Sequence, residues 1–389
     1  MGHHRLSVLW IAGVLFTIII FAVAASAAEP YVVGVLPSLT GPLSVPGEEQ
    51  AETAGLAAKW INERWGGING RPLKLVIEDT KTDPATCLTK FKKLDLEDKA
   101  SAILFMASSA EASGLADQSN RIGLPTLFQV GTLEVVSRLN AANSYCFRTW
   151  YTTNNHVDSL FDAVLRRPVK TIALMYDDTA YGETGRIRAK QLIAANPKTE
   201  MVLEIKFSYK GLEFTPEALR VRTRKPDAVL MISGGVPSGA ALCKNIKEVG
   251  YEGFIFATAG LYSKIAEVGP IVNGVLTDLI GPGPGETQKD IPNPSPELIK
   301  LMQWGEQNVR KTKLTWVSIF GWDNVFIIAN AIKNVGSDRK KIRDFLDNFE
   351  YEGSIGTTKY TPGHHEGLMS LKGAYRVMEA KDGKWVPVK

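Results

Sequence analysis

The chain has 389 residues, 44% of them hydrophobic and 22% charged, enough for a sizeable core and for two domains or one large one. Its 45 basic and 41 acidic residues leave a net charge of +4, too mild a balance to point to nucleic acid. Three cysteines, Cys87, Cys146 and Cys243, match no metal-ligand spacing and read mostly as buried small apolar residues.

Arg5 precedes the uncharged run "LSVLWIAGVLFTIIIFAVA", Leu6 to Ala24, and small residues follow at Ser26 and Ala28. This is the order of a secretory signal peptide over residues 1–28, cut after Ala28. An uncleaved membrane anchor is the alternative. No cysteine stands at the cleavage point, so a lipid-anchored form is not expected. The mature chain is expected to be exported and soluble.

From residue 31 onward strand and helix patterns alternate. "YVVGVL" reads as a buried strand and runs into the Ser/Thr/Gly/Pro loop "PSLTGPLSVPG". A helix is expected over Glu48 to Arg64, stopped by Gly66–Gly67. "NGRP" is a turn and "LKLVIED" a strand. Asp83 and Pro84 cap the helix "DPATCLTKFKKL". "ASAILFM", "SAEASGLADQSNRIG" and "LPTLFQ" continue as strand, helix and strand. Past "YCFRTWYTT" the alternation restarts, with strands at "VKTIALMYD", "EMVLEIKFS", "DAVLMIS" and "GFIFAT". "GPGPGETQKDIPNPSP" reads as a surface loop. Long helical patterns follow, then strands at "TTKYTP" and "GAYRVMEAKDGKWVPVK" with a hairpin signal at "KDGK". Continuous Val/Ile/Leu strands alternating with helices imply parallel sheets covered on both faces. Two such series imply an α/β chain of two doubly wound, Rossmann-like lobes.

Catalytic patterns are weak. "GGVPSG" follows a strand but lacks the Lys-Ser/Thr of a phosphate loop and the G-x-G-x-x-G spacing. No G-x-S-x-G is present, and no histidine is obviously placed to activate Ser109. "HHE", His364 to Glu366, follows "TPG" and reads as exposed loop rather than metal site. No cofactor, no metal, no catalytic residue and no enzyme activity are expected. What remains is a set of strand ends, where open α/β sheets bind ligands. "SLTG", "ASS" and "VGT" stand in the first series, "DDTAYG", "SGGVP" and "TAGLY" in the second. Hydroxyls and free helix N-terminal N–H groups suit a carboxylate.

"VGVLPSLTGPLSVPG", "AAKWINERWGGINGRPLKLVIEDTKTDPATC", "YCFRTW", "ALMYDDTAYGETG" and "YEGSIGTTKYTP" resemble the periplasmic type I solute-binding proteins of branched-chain amino acid ABC importers. The resemblance covers nearly the whole mature chain. It implies two lobes joined by three crossover strands, near Phe147–Trp150, Thr277–Gly281 and Gly356–Pro362. Residues 29–148 plus 281–360 would form the N-terminal lobe and 149–280 plus 361–389 the C-terminal lobe. A small-molecule ligand would bind between them in the periplasm and pass to the permease subunits of an importer, from a monomeric carrier with no nucleic-acid partner.

Carried over residue by residue, the carboxylate-holding serine falls on Ser109, with Ser108 beside it. The next loop places Val130, Gly131 and Thr132. The second lobe places Tyr181, Val236 and Ala259, and Trp150 and Tyr151 stand near the expected cleft. Phe128 and Tyr262 are further rings that would reach it. Two departures follow. Amino acid-binding relatives carry an acid where this chain has Ala259, with Asp177 and Asp178 as the acids that would stand in. They often carry an aromatic residue where this chain has Pro46. The expected ligand therefore has a carboxylate and an aromatic or aliphatic body, with branched-chain amino acids the other option. A ligand-sensing protein on the same fold is the competing function.

Overall fold

The computed structural model describes residues 28–258, 261–262, 264–280, 291, 293–308, 311–312, 314–354, 356–368 and 375–388. Residues 1–27 of the expected signal peptide, Ala259 and most of the loop at 281–296 lie outside these.

Five strands, β1 (Tyr31–Pro37), β2 (Leu73–Ile77), β3 (Ala102–Met106), β4 (Thr126–Phe128) and β5 (Cys146–Arg148), form a parallel sheet in the order β2-β1-β3-β4-β5. Side chains alternate between its two faces, as a strand's period of two demands. Leu104, Met106 and Leu127 enter one apolar core; Ile103, Phe105 and Phe128 enter another. Helices α1 (Ser44–Arg64), α2 (Pro84–Leu96), α3 (Ser109–Ile122) and the short α4 (Val136–Leu139) connect the strands. Asp83 caps α2 by accepting from Thr86 N at 2.7 Å, with Pro84 in the first turn, as the sequence pattern implied.

The second sheet has seven strands. β6 (Thr171–Asp177), β7 (Glu200–Phe207), β8 (Ala228–Ile232), β9 (Phe254–Ala257) and β10 (Val275–Ile280) run parallel. Helices α5 (Thr153–Leu165), α6 (Ala180–Ala195), α7 (Thr215–Arg224), α8 (Val236–Glu248) and the short α9 (Ile265–Val268) accompany them. Again both faces are buried: Ala173 and Met175 in one core, Ile172 and Leu174 in the other. The chain then returns to the first sheet through α10 (Pro296–Asn308), α11 (Ser318–Val335) and α12 (Arg339–Leu346). A small antiparallel sheet follows, β11 (Glu350–Glu352), β12 (Thr357–Thr361) and β13 (His364–Leu368). β14 (Tyr375–Lys381), antiparallel to β10, and β15 (Lys384–Pro387), antiparallel to β14, close the second sheet's edge. Their turn holds Asp382 at φ 48° and Gly383 at φ 74°, the positive-φ pair that "KDGK" signals.

Two local expectations fail. α1 begins at Ser44, four residues before the expected Glu48. Pro46 sits in its first turn, where a missing N–H costs nothing. "HHE" is not an exposed loop: Gly363, at φ 77°, turns the chain into β13. His365 is buried there and stacks on Phe147 with ring centroids 4.1 Å apart. All three cysteines are buried, as read, and they are free.

Candidate functional site

The two sheets point their carboxyl ends at one cavity of about 760 Å³ of atom-free space, part of it open to solvent. In the first sheet the strand order reverses at β1, which lies between β2 and β3, so that is where the crevice falls,. The lining comes from the start of α1, from segments that follow β3 to β9, and from Trp316 and Val317 just before α11.

The motif loop after β1 does not itself form the wall. Its Leu39 N and Thr40 Oγ1 donate to the Asp79 carboxylate at 2.8 and 2.7 Å, and Thr82 Oγ1 donates to Thr40 O at 3.0 Å. "SLTG" and "EDTKTD" thus interlock and aim α1. Leu43, Pro46, Gly47 and Gln50 reach the cavity from there.

Ser108, Ser109 and Ala110 line it at the N-terminus of α3. Ser108 is the N-cap; its N–H and hydroxyl both donate to Glu111 Oε2, at 2.8 and 2.5 Å. This capping box occupies Ser108 with its own helix. Ser109 and Ala110 follow in the first turn, whose N–H groups have no intrahelical acceptor. Burial pushes the Glu111 carboxyl up, against the lowering effect of its bonds to Ser108. Tyr209, from the opposite lobe, lines the cavity, and its hydroxyl is buried without a hydrogen-bond partner among the described residues.

Val130, Gly131, Trp150, Tyr151, Tyr181 and Val236 also line the cavity. With Ser108 and Ser109, eight of the ten sequence-derived site residues are brought together. Thr132 stands just outside. Its hydroxyl lies 3.4 Å from Thr184 Oγ1 of α6 and accepts from Glu134 N at 3.2 Å, so it joins the lobes rather than facing the cavity. Ala259 lies outside the described residues. Phe128 packs on Phe105 in the core, centroids 5.3 Å apart, whereas Tyr262 does reach the cavity.

One wall is aromatic. Trp150 packs on Tyr151 at 4.7 Å and on Phe320 at 4.2 Å between centroids, and Trp316 lies 5.5 Å from Tyr151 and 5.4 Å from Tyr262. Among the described residues that line the cavity there is no Asp, Glu, Lys, Arg or His. Asp177 is fully buried and accepts from Thr179 Oγ1 at 2.5 Å and Gly234 N at 2.7 Å. Asp178 accepts from Tyr209 N at 2.9 Å. Both acids brace the walls instead of standing in them.

Sequence reasoning missed several lining residues. Gln129 precedes the recognised Val130, and period-two alternation with Phe128 would have turned it to the cavity side. Trp316 and Val317 return from the last third of the chain, and Tyr209 comes from the loop after β7. No spacing rule joins Trp316 and Val317 to the strand ends, whereas Tyr209 stands two residues past the carboxyl end of β7, where the strand-end rule could have found it,.

The lobes are closed on each other. Tyr262 donates to Glu49 Oε2 of α1 at 3.1 Å, and the Gly131 carbonyl accepts from Thr153 N at 2.9 Å. Glu49 also accepts from Thr315 Oγ1 at 2.6 Å, and burial pushes its carboxyl up to about 7.

Comparison with known proteins agrees with this geometry. The family model described as "Periplasmic binding protein" matches residues 30–384. A Leu/Ile/Val-binding protein homolog from Brucella melitensis is 24% identical over 95% of this chain and 94% of its own. A solute-binding protein of an ABC transporter from R. palustris, solved in complex with benzoate, superimposes with a TM-score of 0.77 at 20% identity, over 92% of this chain and 96% of that one. A second, in complex with 4-hydroxybenzoate, gives 0.77 at 17%, over 93% and 96%. A leucine-binding protein from Thermotoga maritima gives 0.77 at 18%, over 92% and 97%. Strand order, cleft position and the extent of the family match agree: this chain belongs to the periplasmic binding protein family.

Proposed function

We propose that the protein is the extracytoplasmic solute-binding component of an ABC importer, and that it carries a small carboxylic acid without an ammonium group. The carrying observation is the neutral lining: a helix N-terminus and hydroxyls at one end, an aromatic wall at the other, and no acidic side chain among the described lining residues. A carboxylate gains from the α3 N-terminus and its charge-assisted N–H bonds, about 1.5–3 kcal/mol each. An ammonium buried beside it without an anion would cost several kcal/mol, by order of magnitude. The aromatic wall suits a flat or branched apolar body. Solved relatives of the same fold hold benzoate and 4-hydroxybenzoate, which supports an aromatic acid among the options.

In this reading Ser109, Ala110 and Tyr209 hold the carboxylate, and Trp150, Tyr151, Tyr181 and Val236 enclose the body. By the sequence resemblance, Ala259 corresponds to the acid of amino acid-binding relatives. The division into residues 29–148 plus 281–360 and 149–280 plus 361–389 supplies the two jaws. The protein acts in the periplasm as a monomer after loss of its signal peptide, and hands its ligand unchanged to membrane permease subunits. Thermal-shift measurements on the mature chain test the ligand class, because a ligand that binds only the folded state raises the midpoint. Aromatic or aliphatic acids should raise it, while leucine and valine should not. Stabilisation by the amino acids alone would overturn the proposal.

A further inference from the structure

We propose that Gln129 and Trp316 make this cleft select acids bearing a neutral hydroxyl at the end remote from the carboxylate. The inference rests on the carboxylate reading above.

Gln129 is only 4% exposed and lines the cavity, and both its Nε2 and its Oε1 lack hydrogen-bond partners among the described residues. Trp316, 1% exposed, lines the same cavity with Nε1 equally unpartnered. Buried polar groups are almost always paired, and an unpaired amide is costly. Of the other cavity-lining hydroxyls, Ser108 is committed to Glu111, Thr179 to Asp177 and Tyr262 to Glu49, while those of Tyr181 and Tyr209 are also buried without a partner among the described residues.

Their position separates them from the α3 turn. Gln129 N donates to Phe105 O at 3.0 Å, so the ladder between β3 and β4 still holds there. Alternation then puts the Gln129 side chain on the face of Leu127, not of Phe128 and Val130. Leu127 belongs to the core that contains Met106, Tyr151 and Trp316. Val130 and the helix α3 residues Ala112 and Leu115 belong to the core on the opposite face. A ligand whose carboxylate meets α3 therefore presents another part of itself to Gln129 and Trp316.

The donor inventory names that part. Trp316 offers one N–H; Gln129 offers two N–H donors and one carbonyl acceptor. A hydroxyl accepts from the N–H groups and donates to Gln129 Oε1, so it serves both kinds. A ketone leaves Oε1 unpaired. A second carboxylate would be a buried charge with no cation among the described lining residues,. A hydrocarbon end leaves every one of these atoms unpaired. Sites built to bond a hydroxyl reject the analogue that lacks it far more strongly than apolar pockets reject a missing methylene.

Calorimetric titration of the mature chain with matched pairs tests this: benzoate and 4-hydroxybenzoate, phenylpropanoate and hydroxyphenylpropanoate, hexanoate and ω-hydroxyhexanoate, with leucine alongside. In at least one pair the hydroxylated acid should bind at least about tenfold tighter. Gln129→Leu and Trp316→Phe should each narrow that ratio to about threefold or less. Trp316→Phe keeps the ring, so it serves if Gln129→Leu melts early in the ligand-free state. Plain acids that bind as tightly as their hydroxylated partners in every pair overturn this inference and leave the carboxylate reading standing. So does a preference that survives both substitutions. Leucine bound with no acid bound, or nothing bound at all, overturns the carboxylate reading itself.

Discussion

At the scale of single residues, Glu49 is where chemistry and architecture conflict most. It is a carboxyl 5% exposed, held by the hydroxyls of Thr315 and Tyr262, and burial raises it from 4.5 to about 7 with Glu48 adding repulsion. Because its folded pKa is raised, its favourable contribution is complete below about 4.5 and is lost as pH rises through about 7,. The protein should therefore lose stability between pH 5 and pH 8, on the order of 1–3 kcal/mol from this group. Glu49→Gln, compared with the parent by urea unfolding at both pH values, should remove most of that loss. Equal slopes for parent and variant would contradict it. Asp323, also raised to about 7 while accepting from Ser354 N at 2.8 Å, titrates in the same window, so some slope should survive until Asp323→Asn is added. Residue-level legibility was uneven for the same reason. Ser108, Ser109 and Tyr181 announce themselves because they sit beside strand ends. Glu49 reads from the sequence as a helix-start acid in water, and only the fold covers it with Tyr262 and Thr315. Trp316 has no local signal at all, since its neighbours Tyr151 and Tyr262 come from distant segments.

At the scale of elements, the parallel strands were readable because both faces are buried, which writes them as unbroken apolar runs. β13 was not, because "HHEGL" buries a histidine instead of an aliphatic residue. The start of α1 was hidden by Pro46 and Gly47, which read as loop. Gly47 shows why that turn must be as it is. A Cβ there would stand 2.0 Å from the Ser38 carbonyl oxygen, and backbone at that distance cannot yield cheaply. Its neighbours Pro46 and Gln50 line the cavity, so the first turn of α1 couples the motif loop to the ligand wall. Gly47→Ala should destabilise the fold by roughly 1–3 kcal/mol, the usual cost of overpacking. It should also weaken ligand binding beyond what the lost stability explains, because the displaced turn carries the wall with it. Thermal melts with and without ligand separate the two effects. An unchanged ligand-induced shift would show that α1 aims the wall by some other contact.

At the scale of the whole molecule, the closed arrangement rests on close approach as much as on bonding. Doubly wound lobes with crevices at their strand ends follow directly from the strand–helix alternation, so the cleft was legible before its walls were. How tightly the jaws meet was not, because that depends on which small residues face which rings. Gly131 of the first lobe is the closest case. A Cβ there would lie 3.0 Å from Thr153 Oγ1, 3.2 Å from Thr153 N and 3.2 Å from Tyr181 Cε2. The Gly131 carbonyl meanwhile accepts from Thr153 N at 2.9 Å, and next to it Thr132 meets Thr184 across the gap. A branched side chain at this point acts as a wedge on the closing surface, not as a defect in either core. Gly131→Val should therefore leave the ligand-free melting point nearly unchanged, within about 0.5 kcal/mol as for other changes outside a core. It should weaken ligand binding by about tenfold or more, since the lost closure contacts are worth at least about 1.4 kcal/mol. Small-angle scattering gives the direct reading. The parent should contract when ligand is added, whereas Gly131→Val should keep the larger radius of gyration at saturating ligand. Contraction of the variant to the parent's dimensions would place the closing surface elsewhere and reduce Gly131 to a local packing choice.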